Sequence, residues 1–239
     1  MKNLADIPVV ILAGGKGMRI REAAGEIPKP LLTVGDYSLL EHSLIPLRHA
    51  GVKKFIISVG FRGDLIKDYL GDGKKYGVNI YYKEETHPLG DAGAFKFSYP
   101  RKSETVLLTN ADEIRVGLDL EKMLVFHEEK EGLTTMAVID QPDIENHGIA
   151  EFDIENRITK FLMNPHRDET DSRSANVGLY FIERDVLKYF PQGHCMMKDV
   201  LKELVKTKRI YGFPFKGVYF NVGTPDILRK ANQYLKRLK

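Results

Sequence analysis

Val9-Val10-Ile11-Leu12-Ala13-Gly14-Gly15-Lys16-Gly17-Met18-Arg19 is the stretch from which the fold can be read. The apolar run Val9 to Ala13, bounded by Pro8 and Gly14, has the length and β-branched content of a strand buried on both faces of a parallel sheet. It is too short for a signal-peptide core or a membrane span. A glycine loop directly after such a strand lets backbone N–H groups approach an anion with no Cβ in the way. By itself that loop reads equally well as a bare turn. Two familiar phosphate motifs fail here. A dinucleotide fingerprint begun at Gly15 requires glycine where Ile20 stands, and a Walker A loop requires Ser or Thr after Lys16, where Gly17 stands.

Outward from this stretch, strand and helix signals alternate. Leu40, Leu44 and Leu47 repeat at helical spacing and Gly51 closes the segment. Phe55 to Val59 reads as a strand, Asp64 to Leu70 as a helix and Val78 to Tyr82 as a strand. Thr105 to Thr109 follows as a strand, Leu118 to Lys130 as a helix and Leu133 to Ile139 as a strand. Such alternation over about the first 140 residues predicts βαβ units on a parallel sheet, hence an α/β fold. Ligands gather at the carboxyl ends of such strands. The glycine loop, the loop after Tyr82, and Asp112 all fall there. The remainder differs: Gly148 to Asp153 and Arg157 to Leu162 read as a hairpin around Glu155-Asn156, and Asn176 to Ile182 and Gly217 to Val222 read as strands. The segment from Asn164 to Ser174 reads as a polar loop. Thr224 is a good N-cap, with Pro225 at the first helical position.

With 239 residues, 43% apolar and 29% charged, the chain is long enough for one sizeable domain. A net charge of +3 with dispersed Lys and Arg argues against a nucleic-acid partner, which needs a concentrated basic face. The lone Cys195 excludes a disulfide framework and a cysteine-rich zinc site. No membrane association is expected, and the cytoplasm is the default location.

Two basic residues add specificity to the loop. Arg19 lies two residues past Gly17, and Lys29 follows ten residues later between Pro28 and Pro30, which are expected to hold the backbone extended. With this spacing the sequence resembles the sugar-1-phosphate nucleotidyltransferase family, whose signature is Gly-Gly-x-Gly-x-Arg followed by Pro-Lys-Pro. Leu89-Gly90-Asp91-Ala92-Gly93 resembles that family's Leu-Gly-Thr-Ala-Gly, Asn110-Ala111-Asp112 its Asn-Gly-Asp, Asn176-Val177-Gly178-Leu179-Tyr180 its Asn-x-Gly-x-Tyr, and Val222-Gly223-Thr224-Pro225 its Ile-Gly-Thr-Pro. The likeness is strongest to mannose-1-phosphate and heptose-1-phosphate guanylyltransferases.

The resemblance implies a Rossmann-like, mostly parallel mixed sheet with helices on both faces, of the nucleotide-diphospho-sugar transferase type. It implies one domain over 1–239, with a nucleotide-binding half at 1–140 and a sugar-binding half at 141–239. It implies transfer of a nucleotidyl group from a nucleoside triphosphate to a sugar 1-phosphate, with release of pyrophosphate. Arg19 and Lys29 would neutralise phosphate charge. Leu12, Ala13, Gly14, Gly15, Gly17 and Gly90 would hold the nucleotide. Gly148, Asn164 and Asn176 would face the sugar, and Asp112 and Asn221 would hold Mg²⁺. Glu85 could accept from two guanine donors, which points to GTP; it reads equally as an exposed acidic residue beside Glu84. Relatives carry a C-terminal repeat domain beyond the segment corresponding to this chain, so assembly is expected to use this domain, with monomer and homodimer both open.

Three departures bear on activity. Asn221 stands where the family has a second metal-binding Asp. Met163-Asn164-Pro165 replaces Glu-Lys-Pro, removing groups that hold the sugar and its phosphate. Met18 and Ala111 replace a Thr or Ser and a Gly. A second reading therefore stands beside the enzyme: a catalytically weakened nucleotide-sugar-binding regulatory or accessory subunit.

Overall fold

The computed structural model describes residues 2–20, 25 and 27–238. Its strands, in chain order, begin with β1 (Val9–Ala13), a small hairpin β2 (Thr33–Val34) and β3 (Tyr37–Ser38), β4 (Lys54–Val59), β5 (Asn79–Glu84), β6 (Thr105–Asn110) and β7 (Glu113–Val116). The second half adds β8 (Thr134–Asp140), β9 (Gly148–Phe152), β10 (Ile158–Met163), β11 (Ser174–Glu183), β12 (Ile210–Pro214) and β13 (Val218–Asn221). The α-helices are α1 (Leu39–His49), α2 (Gly63–Leu70), α3 (Gly90–Ser98), α4 (Leu120–Lys130), α5 (Met197–Lys206) and α6 (Pro225–Arg237).

The main sheet runs β10-β9-β11-β6-β1-β4-β5, with β8 pairing β11 and β12. From β6 through β1 and β4 to β5 it is parallel, with Val9 opposite Phe55 on one side and Leu107 on the other. The chain then brings β11 antiparallel to β6, with Leu179 opposite Thr109. The mixed sheet expected from the sequence is therefore present, and strands from both halves of the chain share it.

Because strand side chains alternate between faces, β1 feeds two cores. Val9 and Ile11, with Phe55 and Ile57 of β4, pack against Leu40 and Leu44 of α1 and Ile66 of α2. Val10, Ile56 and Leu108 point the other way, to Phe95 of α3 and Val200 and Leu204 of α5. A third cluster joins Ile20, Leu32, Leu39, Ile114 and Val222 to Ala231 of α6, fastening the last helix beside the end of the glycine loop. No helix among the described residues is long and apolar enough to cross a membrane.

Local chemistry explains the ends of the elements. Ser38 and Glu41 form a capping box at α1, and the Thr224 hydroxyl accepts the Ile227 N–H at α6 with Pro225 in the first turn. Asp119 caps α4, which therefore starts at Leu120 rather than Leu118. Three differences from the sequence reading matter. The segment Gly90–Ser98 is a helix, although Gly90 and Gly93 depress its helix signal. Helix α5 carries Met197, Val200, Leu201 and Leu204 on one buried side, a periodicity legible in the sequence but not extracted from it. Finally, β13 is not part of the main sheet: it pairs with β7 in a separate two-stranded ribbon, Asn221 opposite Glu113.

The edge of the sheet away from the strands' carboxyl ends is closed by charge. Glu183 accepts from His127 Nε2 (2.9 Å), Thr105 Oγ1 (2.7 Å) and Lys2 Nζ (2.6 Å). Burial alone would raise this carboxyl; the hydrogen bonds from His127, Lys2 and Thr105 outweigh it and hold the pKa at about 2. A carboxyl so depressed stabilises the fold above its ordinary pKa, and that contribution is lost as pH falls towards 2. Glu183→Gln should therefore lower the melting temperature at neutral pH, by of the order of 2 kcal/mol in stability. The same variant should flatten the decline between about pH 4.5 and 2, as read by thermal unfolding across pH.

Candidate nucleotide site

Since β1, β4, β5 and β6 are parallel, their carboxyl ends open on one side of the sheet. A cavity of about 800 Å³ lies there. Its walls include Leu12 to Arg19, Lys29, Glu85, Leu89 to Asp91, Asn110 to Glu113, Asn221 and Gly223.

The glycine loop is shaped by what it touches. A Cβ on Gly14 would lie 2.6 Å from Glu85 Oε1, so glycine there lets the end of β1 close on the end of β5. Gly17 has φ +58°, and a Cβ there would lie 2.9 Å from Lys29 Cβ. Pro28 is extended, yet Lys29–Leu31 forms a 3-10 turn, with Leu31 N–H donating to Pro28 O (2.8 Å) and Leu32 N–H to Lys29 O (3.0 Å). The two prolines thus frame a turn rather than an extended segment. Pro30 sits in the first turn, where a missing N–H leaves no gap in the hydrogen bonding. The turn delivers Lys29 Nζ to an ion pair with the Asp112 carboxylate, the lysine side chain being 11% exposed.

Glu85 stands just past β5. Its carboxylate accepts from Ser58 Oγ (3.2 Å) and from the Leu89 N–H (3.3 Å). Gly90, at φ +72°, lies against the Cys195 carbonyl, and the Asp91 carboxylate accepts the Met197 N–H (2.6 Å) at the start of α5. The start of α3 is therefore braced by the segment leading into α5, which also brings His194 to the cavity wall.

Asp112 and Asn221 are 109 residues apart in the chain and adjacent in space. The β7–β13 ribbon sets Asn221 opposite Glu113, and the Val222 N–H donates to the Asp112 carbonyl (3.0 Å). Gly223 lies against Arg19: a Cβ on Gly223 would lie 3.3 Å from its guanidinium.

A model of the nucleotidyl transferase family matches residues 8–237, nearly the whole chain and every wall of this cavity. The chain belongs to that family. Among curated relatives, a mannose-1-phosphate guanylyltransferase of Mycobacterium tuberculosis is 29% identical over 97% of this chain, which spans 65% of that protein's length. A D-glycero-alpha-D-manno-heptose 1-phosphate guanylyltransferase of Aneurinibacillus thermoaerophilus is 27% identical, covering 95% of this chain and 97% of its own. Similar proteins also include a glucose-1-phosphate adenylyltransferase of Thermosipho africanus, 30% identical over 99% of this chain and 63% of its own. The crystal structure of HddC from Yersinia pseudotuberculosis shares the fold, with a TM-score of 0.80 at 24% identity, covering 96% of this chain and 99% of that one.

Eleven of the residues singled out in the sequence line the cavity of this family member: Leu12, Ala13, Gly14, Gly15, Gly17, Arg19, Lys29, Glu85, Gly90, Asp112 and Asn221. Gly148, Asn164 and Asn176 lie outside its lining. Gly148 is buried in the β9–β10 hairpin opposite Met163, and Asn164, at φ +50°, donates its N–H to His147 O (2.9 Å). Asn176 turns its amide onto its own strand, Nδ2 donating to Tyr180 Oη (2.5 Å) and Oδ1 accepting the Gly178 N–H (2.9 Å).

The sequence reading missed Glu113. This carboxylate is buried, 6% exposed, and paired with the Arg115 guanidinium. Oε1 also accepts from Tyr219 Oη (3.0 Å) and Asn110 Nδ2 (3.3 Å). Burial pushes its pKa up to about 7, against the opposing pull of Arg115. Only the sheet pairing reveals it, since a Glu after Asp112 reads as an ordinary surface charge.

Gly14 packs closely against the Glu85 carboxylate, the far end of a flexible side chain. Gly14→Ala should therefore displace that carboxylate with little loss of stability in urea unfolding, while nucleotide affinity falls.

Proposed function

We propose that the protein transfers a nucleotidyl group from a nucleoside triphosphate, GTP in first place, to a sugar 1-phosphate, releasing pyrophosphate. The observation that carries this reading is the convergence of Arg19, Lys29, Glu85, Asp112 and Asn221 on one cavity beside the glycine loop.

In that reaction an oxygen of the sugar phosphate attacks the α-phosphorus in line with the departing pyrophosphate. A phosphate monoester is already anionic near neutral pH, so no general base is required. The obstacle is charge repulsion, and catalysis is positioning plus electrostatic stabilisation. Backbone N–H groups of the loop 14–17 hold the phosphates. Arg19, at the exposed mouth, draws charge on the departing pyrophosphate. Lys29, nearly buried and already placed at Asp112, lies where the α-phosphate and the incoming phosphate meet. Glu85, fixed by Ser58 and the Leu89 N–H, accepts from the two donors on the guanine edge. Uracil offers one donor there, and the similar proteins include adenylyl- and uridylyltransferases, so Glu85 is the group on which the choice of GTP rests.

Magnesium fits this donor set in a lean form. Asp112 supplies a carboxylate, Asn221 an amide oxygen, and no group of three or more His, Cys, Asp or Glu side chains suited to a metal occurs among the described residues. Mg²⁺ is commonly held by one or two carboxylates together with substrate phosphates. When bound, it would add positive charge beside the phosphates, with Asp112 and Asn221 as its protein ligands. Lys29, paired with Asp112, would neutralise phosphate charge beside it.

The neutral amide at 221 also favours the second reading, a nucleotide-sugar-binding subunit with weakened turnover. Pyrophosphate release, measured over a panel of nucleoside triphosphates and sugar 1-phosphates with Mg²⁺, separates the two. Turnover with GTP that falls at least 100-fold in Lys29→Ala supports the enzyme. Binding of a nucleotide-sugar without turnover for any pair supports the subunit. Asn221→Asp should lower the Mg²⁺ concentration needed for half-maximal rate or for metal-dependent nucleotide binding.

A further inference from the structure

The nucleoside side of the cavity lies over β1 and β5, where Glu85 meets Gly14. Asp112 ends β6, the next strand across, and beyond it the sheet continues to β11. On that side Glu113, next to Asp112 and packed against Gly178 of β11, lines the cavity.

Its surroundings make Glu113 a fixed acceptor rather than a mobile charge. Tyr219 Oη and Asn110 Nδ2 hold Oε1, and Arg115 holds Oε2 while its own Nε donates to the Val177 carbonyl (2.6 Å). The carboxylate is also clamped by backbone shape. Gly178 takes φ +61°, and any Cβ there would overlap Glu113 Oε2. A carboxylate has about four acceptor positions. Tyr219, Asn110 and Arg115 use three, and Glu113 lines the cavity. Arg115 cancels the negative charge that would otherwise repel an incoming phosphate.

The residues expected from the sequence to meet the sugar are occupied elsewhere. Asn176 bonds to Tyr180 and Gly178, and Gly148 is buried beneath Phe161 and Met163. We propose that Glu113, held by Tyr219 and Arg115, is the specificity-determining residue for the acceptor, accepting a hydrogen bond from a sugar hydroxyl. The chemistry selects a neutral, hydroxyl-bearing sugar. A sugar acid, whose carboxylate has no proton to donate to Glu113, is disfavoured. The assignment rests on the nucleotidyltransferase reading of this cavity.

The test uses binding, so that it does not depend on turnover. Calorimetry gives the dissociation constants of GDP, UDP, dTDP and ADP and of their hexose conjugates, among them GDP-mannose, for the whole chain. The ratio of diphosphate to conjugate is the affinity added by the sugar. In Glu113→Gln that ratio should fall about tenfold or more for the preferred pair, with affinity for the bare diphosphate within twofold of wild type. The ratio of hexose to hexuronate conjugate should fall in the same variant. Unchanged ratios in a variant that still binds the diphosphate overturn the assignment, as does the absence of any sugar increment in the wild type. If Glu113→Gln fails to fold, Glu113→Gln combined with Arg115→Gln removes both charges together and must show the same loss. Failure of pyrophosphate release in the wild type, with the sugar increment intact and sensitive to Glu113, would sink the enzyme reading and leave this one standing.

Discussion

Because β1 pairs in parallel with β4 on one side and β6 on the other, all three strands must end at the same edge of the sheet. The glycine loop after β1, Gly60 just past β4 and Asp112 just past β6 are carried to one place by backbone hydrogen bonding alone. Helices on both faces then bury most of β1, since alternate side chains of the same strand feed opposite cores. The cavity is the unfilled space above this edge, and its floor cannot shift without breaking the register of β1.

Charge on that floor is arranged in two neighbouring pairs. Lys29 compensates Asp112, and Arg115 compensates Glu113. A carboxylate left alone in such a place would take up a proton or draw in water, because burial disfavours the charged form. The two pairs differ in what surrounds them. Asp112 is about one-third exposed and its lysine partner can turn to a phosphate, whereas Glu113 and Arg115 are almost fully enclosed and held by further hydrogen bonds. The first pair is suited to exchange partners and the second to keep its shape.

The legible parts of the sequence were those set by local chemistry. Val9 to Ala13 announced a buried strand, Thr224-Pro225 a helix start, and Glu155-Asn156 a hairpin. Glycine spacing with Arg19 and Lys29 marked residues that line one cavity. Helix α3 escaped because two glycines depress its helical signal while packing against the loop 193–195 favours it. The strand Glu113–Val116 escaped because four residues with alternating charge carry too short a pattern. It exists through its partner Val218–Asn221, more than a hundred residues away.

By itself the sequence determined the elements whose cause is local: strand and helix periodicity, caps, glycines that permit a turn, and the basic residues spaced after the loop. Tertiary structure decided which of them share a site. It put Asn221 beside Asp112, set Gly223 against Arg19 and Glu85 against Gly14, and made Glu113 a buried wall of the cavity. It also left Gly148, Asn164 and Asn176 outside the cavity wall. The reason is physical. Burial, pairing and the direction of a side chain depend on contacts between segments far apart in the chain, and no spacing along the chain encodes them.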